Sequence, residues 1–208
     1  MITQVLALAD SRLPIGGHVH SGGFEEAVAS GIVRDMPTLE ALLRRRIRTS
    51  GLVGASVAVA VRHGLDVAAA DVETDARTPS PAARAASRAQ GRGLLRLAKH
   101  VWPQPDWQAM GPRPHLPVIF GAVAAHIGTP ASELAAVYVY TTMTGAATAA
   151  QRLLALDPAD VAACTLRLSA LCDDIAAAAT KGLAGLSDPL LDSLAERHAQ
   201  RPQPLFAS

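Results

Sequence analysis

The segment PIGGHVHSGGFEEA, from Pro14 to Ala27, contains the residues of this chain that come nearest to a chemical site. A glycine-rich segment that leads into a helix can bind phosphate through its backbone N–H groups. A phosphate loop, however, follows a strand and carries a Gly-Lys-Ser/Thr sequence, and this segment shows neither feature. Nucleotide binding is therefore the weaker interpretation, which leaves a metal site or a turn recognised by a partner protein.

Two histidines in this segment, His18 and His20, lie one residue apart and face the same side if the backbone is extended. A stable transition-metal site needs further ligands, and the sequence shows no cluster of thiolates or carboxylates to supply them. His18 and His20 are therefore only weak candidates for metal binding. The remaining histidines are scattered along the chain: His63, His100, His115, His126 and His198.

Nucleophilic catalysis has no clear signature in the sequence. Ser21 lies in no Gly-x-Ser-x-Gly nucleophile elbow, and the sequence alone brings no Ser, His and Asp set together. The two cysteines, Cys164 and Cys172, are eight residues apart on one predicted helix, a separation of about 12 Å that is too long for a disulfide. They are typical of reduced core residues in a cytoplasmic protein, and no catalytic residue is predicted.

Composition limits the kinds of partner. Half of the 208 residues are apolar, and 19 basic residues against 18 acidic ones give a net charge of +1. This balance produces no long-range attraction to nucleic acid or to an anionic membrane. The basic run Arg44–Arg48 is typical of a solvated helix face, because no aromatic residue accompanies it.

The uncharged segment between Glu133 and Arg152 is long enough to cross a bilayer. Several threonines, Gly145 and Gln151 dilute its apolar character, so a buried core helix is favoured. The N-terminal apolar run ends at Asp10 and lacks a basic start, which argues against an export signal. The sequence therefore predicts a cytoplasmic location without membrane or nucleic-acid binding.

Helix signals dominate the chain and predict an all-α, single-domain helical bundle over residues 1–208, rather than two smaller domains. An N-terminal segment and loop over residues 1–21 and an extended tail over residues 202–208 flank the bundle. The polar stretch from Asp71 to Ser80 is interpreted as a connection, and the proline-rich stretch 101–114 as a loop. Helix starts are predicted near Pro37, Leu52, Pro81, Leu116, Pro130, Pro158 and Pro189.

Four blocks of the sequence, taken in order, resemble one family. LALADSRLPIGGHVHSGGFEEAVASGIV resembles the opening of the urease accessory protein UreF family, whose pattern is a leucine-rich start, then Pro-x-Gly-x-Phe, a Ser, a Gly and Leu-Glu. His18 and Phe24 stand where that family usually has Phe and Leu. The matching residues are Pro14, Gly16, Ser21, Gly23 and Glu25.

The later blocks follow the same order. RAASRAQGRGLLRL resembles the family's central helix, in which a glycine, here Gly91, lets another helix approach. Residues 116–156 resemble its paired helices, which end in a basic residue and Leu, here Arg152 and Leu153. HAQRPQPLFAS resembles its C-terminus, although Pro202 and Pro204 replace the usual Tyr and Arg. The matches in this last block are His198, Leu205, Phe206 and Ser208.

The resemblance implies an all-α, non-enzymatic adaptor that dimerises, binds the scaffold protein UreD (also called UreH) and recruits the GTPase UreG. The assembled complex would deliver nickel to apo-urease, and this chain would hold no cofactor of its own. The alternative is a nickel-binding metallochaperone that uses His18 and His20. The residues nominated for partner binding are Pro14, Gly16, Gly17, Ser21, Gly23, Glu25, Gly91, Arg92, Arg152, Leu205, Phe206 and Ser208.

Two surfaces remain open to more than one interpretation. Pro202 and Pro204 end the last helix and predict an extended tail, with Leu205 and Phe206 beyond any core of their own. The favoured interpretation docks both side chains into UreD, and the alternative returns them to the domain itself. Similarly, the small residues around Gly145 suit either a dimer contact or close packing within one monomer.

Overall fold

The computed structural model describes residues 2–15 and 20–206. Helices make up the regular structure of these residues, with no β-strand among them, so the all-α prediction is confirmed. The helices are α1 (Ile2–Ala9), α2 (Phe24–Ala29), α3 (Met36–Arg46), α4 (Leu52–Arg62), α5 (Val67–Ala76), α6 (Pro81–Val101), α7 (Leu116–His126), α8 (Ala131–Leu154), α9 (Pro158–Ala179) and α10 (Pro189–Ala199). A 3₁₀ turn, Trp107–Met110, lies within the predicted proline-rich loop.

Helices α3 and α4 are continuous, because a π-helical turn, Ile47–Gly51, joins them without a break. Asp35 caps the N-terminus of α3 by accepting a hydrogen bond from the backbone N–H of Thr38. The predicted apolar face of α3 is buried, as expected from its spacing. Its residues are Leu39, Leu42, Leu43 and Ile47.

The prediction of a connection from Asp71 to Ser80 is wrong over its first half, since α5 occupies that region. Asp66 caps this helix by accepting a hydrogen bond from the Ala69 N–H. Only the small inward face, which includes Ala70 and Thr74, is buried. The helix needs few apolar residues to pack, and its high polarity therefore resembled that of a loop.

Helix α8 lies in the middle of the fold, where it packs against α1, α2, α3, α4 and α9. One large cluster of buried side chains includes residues from every helix except α5, and a smaller cluster packs Ala70 of α5 against Val57 and Val118. Cys164 and Cys172 are both buried and unbridged, as predicted. The single-domain organisation stays a prediction.

The uncharged segment that precedes Arg152 forms most of α8, and its inward residues are buried in this core, as expected. Across the described residues, every helix is too short or too polar to pass through a bilayer.

The prediction of a solvated face for Arg44–Arg48 is wrong at Arg46. This residue is four positions after Leu42 and three after Leu43, and both leucines are buried. Since positions three and four apart share a helix face, Arg46 points inward while Arg45 and Arg48 are exposed.

Candidate functional site

A cleft of ≈ 480 Å³ lies between α4, α6, α8 and α10 and is bordered by the turn that precedes α2. Its lining combines apolar and aromatic side chains with hydroxyl and charged groups. Three of the nominated residues border it, namely Ser21, Gly23 and Arg152. The cleft therefore brings the start of the chain close to the end of α8.

The turn before α2 is formed by Gly22 and Gly23, whose φ angles are +57° and +87°. Residues with a side chain rarely adopt such angles, so this backbone path favours glycine at both positions. Gly23 also lies against α10, because a Cβ atom placed on it would come within 3.2 Å of Leu194 Cβ. The turn is therefore fixed both by its own geometry and by its neighbour.

Arg46 reaches this turn from α3. Its Nη1 donates to the Gly22 carbonyl at 3.0 Å and its Nε to the Thr142 carbonyl at 3.2 Å, while the guanidinium lies over the Phe24 ring at 5.8 Å. Burial lowers the pKa of Arg46, since few charges nearby compensate for lost water. Next to Gly22, Ser21 is only 1% exposed, and its hydroxyl has no hydrogen-bond partner in the described structure.

Glu25, the second residue of α2, is 3% exposed and holds the end of the chain. Its carboxylate accepts hydrogen bonds from the backbone N–H groups of Leu205 and Phe206, at 2.8 and 2.9 Å, and from His198 Nε2 at 2.8 Å. Burial raises the pKa of Glu25, but these hydrogen bonds outweigh burial and hold the pKa below its usual value. Glu25 thus links α2, α10 and the tail.

The tail leaves α10 at Ala199, as its prolines predict, but it does not project from the bundle. Phe206 is only 9% exposed, so the prediction of a side chain stranded beyond the core is wrong for Phe206 and the alternative interpretation holds. The buried carboxylate of Glu25 explains this path, because it offers acceptors to two tail amides. Leu205 points outward and is 81% exposed.

Gly91 allows a close approach, as the resemblance implied. A Cβ atom on this residue would lie 2.0 Å from the Pro114 carbonyl oxygen and 2.9 Å from the Leu116 nitrogen. Helix α6 therefore touches the backbone that enters α7. Arg92, the next residue, is exposed on the other side of α6.

Beside Gly91, the structure brings together a buried polar cluster that the sequence alone did not reveal. His115 is fully buried, with Nε2 at 2.8 Å from Asp75 Oδ1 and Nδ1 at 3.0 Å from Ser87 Oγ. Burial lowers the pKa of His115, so we assign a neutral ring that donates from Nε2 to Asp75 and accepts at Nδ1 from the Ser87 hydroxyl. The structure thus places Ser87, His115 and Asp75 side by side, which the sequence alone could not do.

The same cluster has the contacts of a helix cap. Ser87 Oγ accepts a hydrogen bond from the Leu116 N–H, and Asp71 accepts one from the His115 N–H. These bonds satisfy backbone N–H donors at the start of α7. The N-cap residue of α7, His115, does not satisfy them with its own side chain. The hydrogen bonds of this cluster thus join α5, α6 and α7.

Asp71, Asp75 and His115 also have the spacing of a three-ligand metal site. Arg88, however, places Nη2 at 2.8 Å from Asp71 Oδ2 and at 2.7 Å from Asp75 Oδ2. The guanidinium supplies the positive charge that a cation would bring. The sequence signal for this cluster is the i, i+4 spacing of the two aspartates, which places them on one helix face only if residues 71–75 are helical.

The remaining nominated residues are spread over the surface. Pro14 and Arg152 are exposed, and His20 is half-buried and makes contacts of its own. The structure therefore divides the nominated set among the cleft, the Glu25 cluster and the α6–α7 contact. Gly16, Gly17, His18 and Ser208 lie outside the described residues.

Comparison with known proteins gives a consistent picture. The family model UreF matches residues 33–169, which is more than half of the chain. Proteins named "Urease accessory protein UreF" from Mycobacterium sp. (strain JLS) and Mycolicibacterium vanbaalenii are 68% and 64% identical over 208 and 211 aligned residues. A third, from Mycobacterium tuberculosis (strain ATCC 25177 / H37Ra), is 62% identical over 208 residues. Each alignment covers 100% of this chain and 99% of the relative.

The alignments span the whole chain and therefore include the cleft, the Glu25 cluster and the α6–α7 contact. It follows that the chain belongs to the UreF family of urease accessory proteins and has a role in urease maturation, as an accessory protein rather than as an enzyme.

Proposed function

We propose that this chain is an adaptor that bridges the scaffold protein UreD (UreH) and the GTPase UreG in the complex that delivers nickel to apo-urease. The observation that carries the proposal is the match to urease accessory proteins over the full chain. The polar side chains of the Glu25 and His115 clusters bond chiefly to one another and to the backbone, so they hold the fold together. Contacts with other proteins would then be made by the exposed surface. The adaptor acts in the cytoplasm, where urease is assembled.

Exposed nominated residues are the best positions for contacts with these partners. Arg92 and Arg152 are charged and exposed, and Leu205 presents an apolar side chain at the edge of the Glu25 cluster. Charged residues at an interface rim guide association, and an exposed apolar side chain gains by burial. UreD is the proposed partner of Leu205, because the adjacent tail backbone is already held in place by Glu25.

Self-association is also part of the proposal. Ala146, Ala149 and Ala150 are buried within this chain, so these three small residues serve close packing in the monomer. Gly145, in contrast, has open space around it and borders the cleft. A homodimer therefore uses other exposed surfaces, and sedimentation at several concentrations, with and without UreD, tests for it.

The proposed complex handles nickel as cargo, and this chain keeps no nickel of its own. Isothermal titration of the purified chain with Ni²⁺ tests this against the metallochaperone alternative. Stoichiometric micromolar binding that disappears in the His18→Ala, His20→Ala double variant would favour the alternative.

A pull-down with tagged UreD and UreG tests the adaptor role directly. Arg92→Glu and Arg152→Glu reverse exposed charges, so we expect folding to be unchanged and capture of a partner to fall in at least one of them. Arg48→Glu is the matched control, since Arg48 is also exposed but is not a nominated residue. Failure of the wild-type chain to capture both partners would contradict the proposal.

A further inference from the structure

The cleft beside the Gly22–Gly23 turn holds a positive charge that no carboxylate among the described residues contacts. Within that part of the chain, Arg46 donates to two backbone carbonyls, those of Gly22 and Thr142, from Nη1 and Nε. Its neighbour Arg45, by contrast, contacts the Asp188 carboxylate, with Nη2 at 2.7 Å from Oδ1. A buried arginine normally has an anionic partner, because carbonyl dipoles replace only part of its hydration.

A second group in the same wall also lacks a partner. The Ser21 hydroxyl is buried, borders the cleft and makes no hydrogen bond in the described structure. Buried hydroxyl groups are almost always hydrogen-bonded, and an exception calls for a ligand or an ordered water. Ser21 and Arg46 both border the cleft, and Ser21 is adjacent in sequence to Gly22, whose carbonyl accepts the Arg46 hydrogen bond.

The shape of the turn keeps Arg46 in this position. A Cβ atom on Gly22 would lie 2.5 Å from Arg46 Nη2, so only glycine leaves room for the guanidinium. Nη2 is also the nitrogen of Arg46 that makes no hydrogen bond among the described residues. The backbone therefore fixes the guanidinium while leaving one donor nitrogen unused.

We propose that this cleft binds a small organic carboxylate, whose oxygens accept hydrogen bonds from Arg46 Nη2 and Ser21 Oγ. Two separate donors suit the two oxygens of a carboxylate, and a guanidinium that bonds only to carbonyls among the described residues suits one negative charge. Asp188, a carboxylate in the lining, favours the charged form of Arg46 through space, but its oxygens bond to Arg45 and not to Arg46 in the described structure.

The body of the ligand is apolar or aromatic. Phe120 and Tyr138 border the cleft with their rings edge to face, at a centroid distance of 5.4 Å. Aromatic side chains favour such contacts with a further ring. Arg77 and Arg152 also border the cleft, but Arg77 is paired with Glu73 and Arg152 is exposed, so Arg46 is the anchoring cation.

The test uses 4-fluorobenzoate as the probe and 4-fluorobenzamide as its neutral counterpart, each observed by ¹⁹F NMR with the full chain. We expect the benzoate to bind roughly tenfold more tightly than the benzamide, because only the former pairs with a guanidinium. Equal binding of the two probes, or no binding of the benzoate, would overturn the proposal.

Three variants locate the site. Arg46→Gln should weaken benzoate binding by roughly tenfold, and Arg45→Gln, the matched control, should leave it unchanged. Ser21→Ala removes a hydroxyl that has no partner in the fold, so the variant should fold normally and bind roughly threefold more weakly. If Arg46→Gln does not fold, the benzoate affinity of Ser21→Ala is the deciding measurement. An affinity equal to that of the wild type would overturn the proposal.

A carboxylate at the end of a partner's chain presents the same chemistry as a free acid. Unlabelled benzoate should therefore displace the probe. Displacement by a peptide with a free C-terminus but not by benzoate would assign the cleft to a partner chain and contradict the small-molecule site.

Discussion

His198 and His115 are both buried, at 1% and 0% exposure, and each lies 2.8 Å from a carboxylate oxygen, yet their surroundings differ. The carboxylate beside His198, Glu25, is itself buried. The carboxylate beside His115, Asp75, has a side chain that is 43% exposed. A buried histidine is therefore paired with a partly solvated carboxylate in one place and with an enclosed carboxylate in the other.

The groups that complete each cluster also differ. Glu25 is completed by two backbone N–H groups from the chain end, whereas Asp75 is completed by Arg88, a cation on α6. The Glu25 cluster therefore depends on the last residues of the chain staying in place. The His115 cluster depends instead on the spacing between helices. Two similar histidine–carboxylate pairs can therefore be disrupted by changes in quite different parts of the molecule.

The largest effect is expected from Glu25→Ala, which leaves His198 and two tail amides without their acceptor. We expect the free energy of unfolding in urea to fall by about 4 kcal/mol, because three donors lose their buried, ionised acceptor. Glu133→Ala is the control, because Glu133 is exposed at the start of α8 and its loss should cost about 0.5 kcal/mol. A similar small loss for both variants would mean that water replaces the Glu25 contacts.

Gly91→Ala breaks the other cluster by separating its helices. The added Cβ atom meets the Pro114 carbonyl, which must move and carry His115 away from Ser87. We expect a loss of about 3 kcal/mol, measured in the same unfolding experiment. Gly145→Ala, where the Cβ atom meets open space in mid-helix, should instead gain about 1 kcal/mol. A stable Gly91→Ala protein would disprove the close approach.

Phe206→Ala and Leu205→Ala form a matched pair in the tail, and both keep the backbone N–H groups that bind Glu25. Phe206→Ala should lower the free energy of unfolding by about 2 kcal/mol, since its ring is buried at the edge of the core. Leu205→Ala should change it by less than about 0.5 kcal/mol, because that side chain is exposed. Equal effects would mean that the tail is not held as described.

The smallest effect concerns pH. Burial lowers the pKa of His115 below its usual value of 6.5, so on acidification the unfolded chain takes up the proton first. The stability contributed by the neutral ring is therefore present above pH 6.5 and is lost as the pH falls towards the lowered pKa. Urea midpoints at pH 7.5, 6.5 and 5.5 should fall less steeply for His115→Gln than for the wild type. Parallel curves would contradict this assignment.

Much of the helical architecture was predictable from local signals. Three predicted helices begin with the caps that their sequences indicate, at Ser80, Asp157 and Asp188. Each of these side chains accepts a hydrogen bond from a backbone N–H group in the first turn. The glycine-rich segment likewise suits a tight turn, and Gly22 and Gly23 form one with positive φ angles, which glycine adopts readily. Helix α5 was missed, because its few inward residues are small and its outward ones resemble those of a loop.

The sequence by itself determined most of the helix starts, the glycine turn and the motif blocks that resemble the UreF family, because each cap, turn and block depends on residues close together in the chain. Only the tertiary structure decided that Phe206 returns to Glu25 and that Ser87, His115 and Asp75 meet, since these partners are 181, 28 and 40 residues apart. The position of Arg46 was decided in the same way, by carbonyls 24 and 96 residues away. Contacts of that length depend on how the helices pack, and no local pattern encodes them.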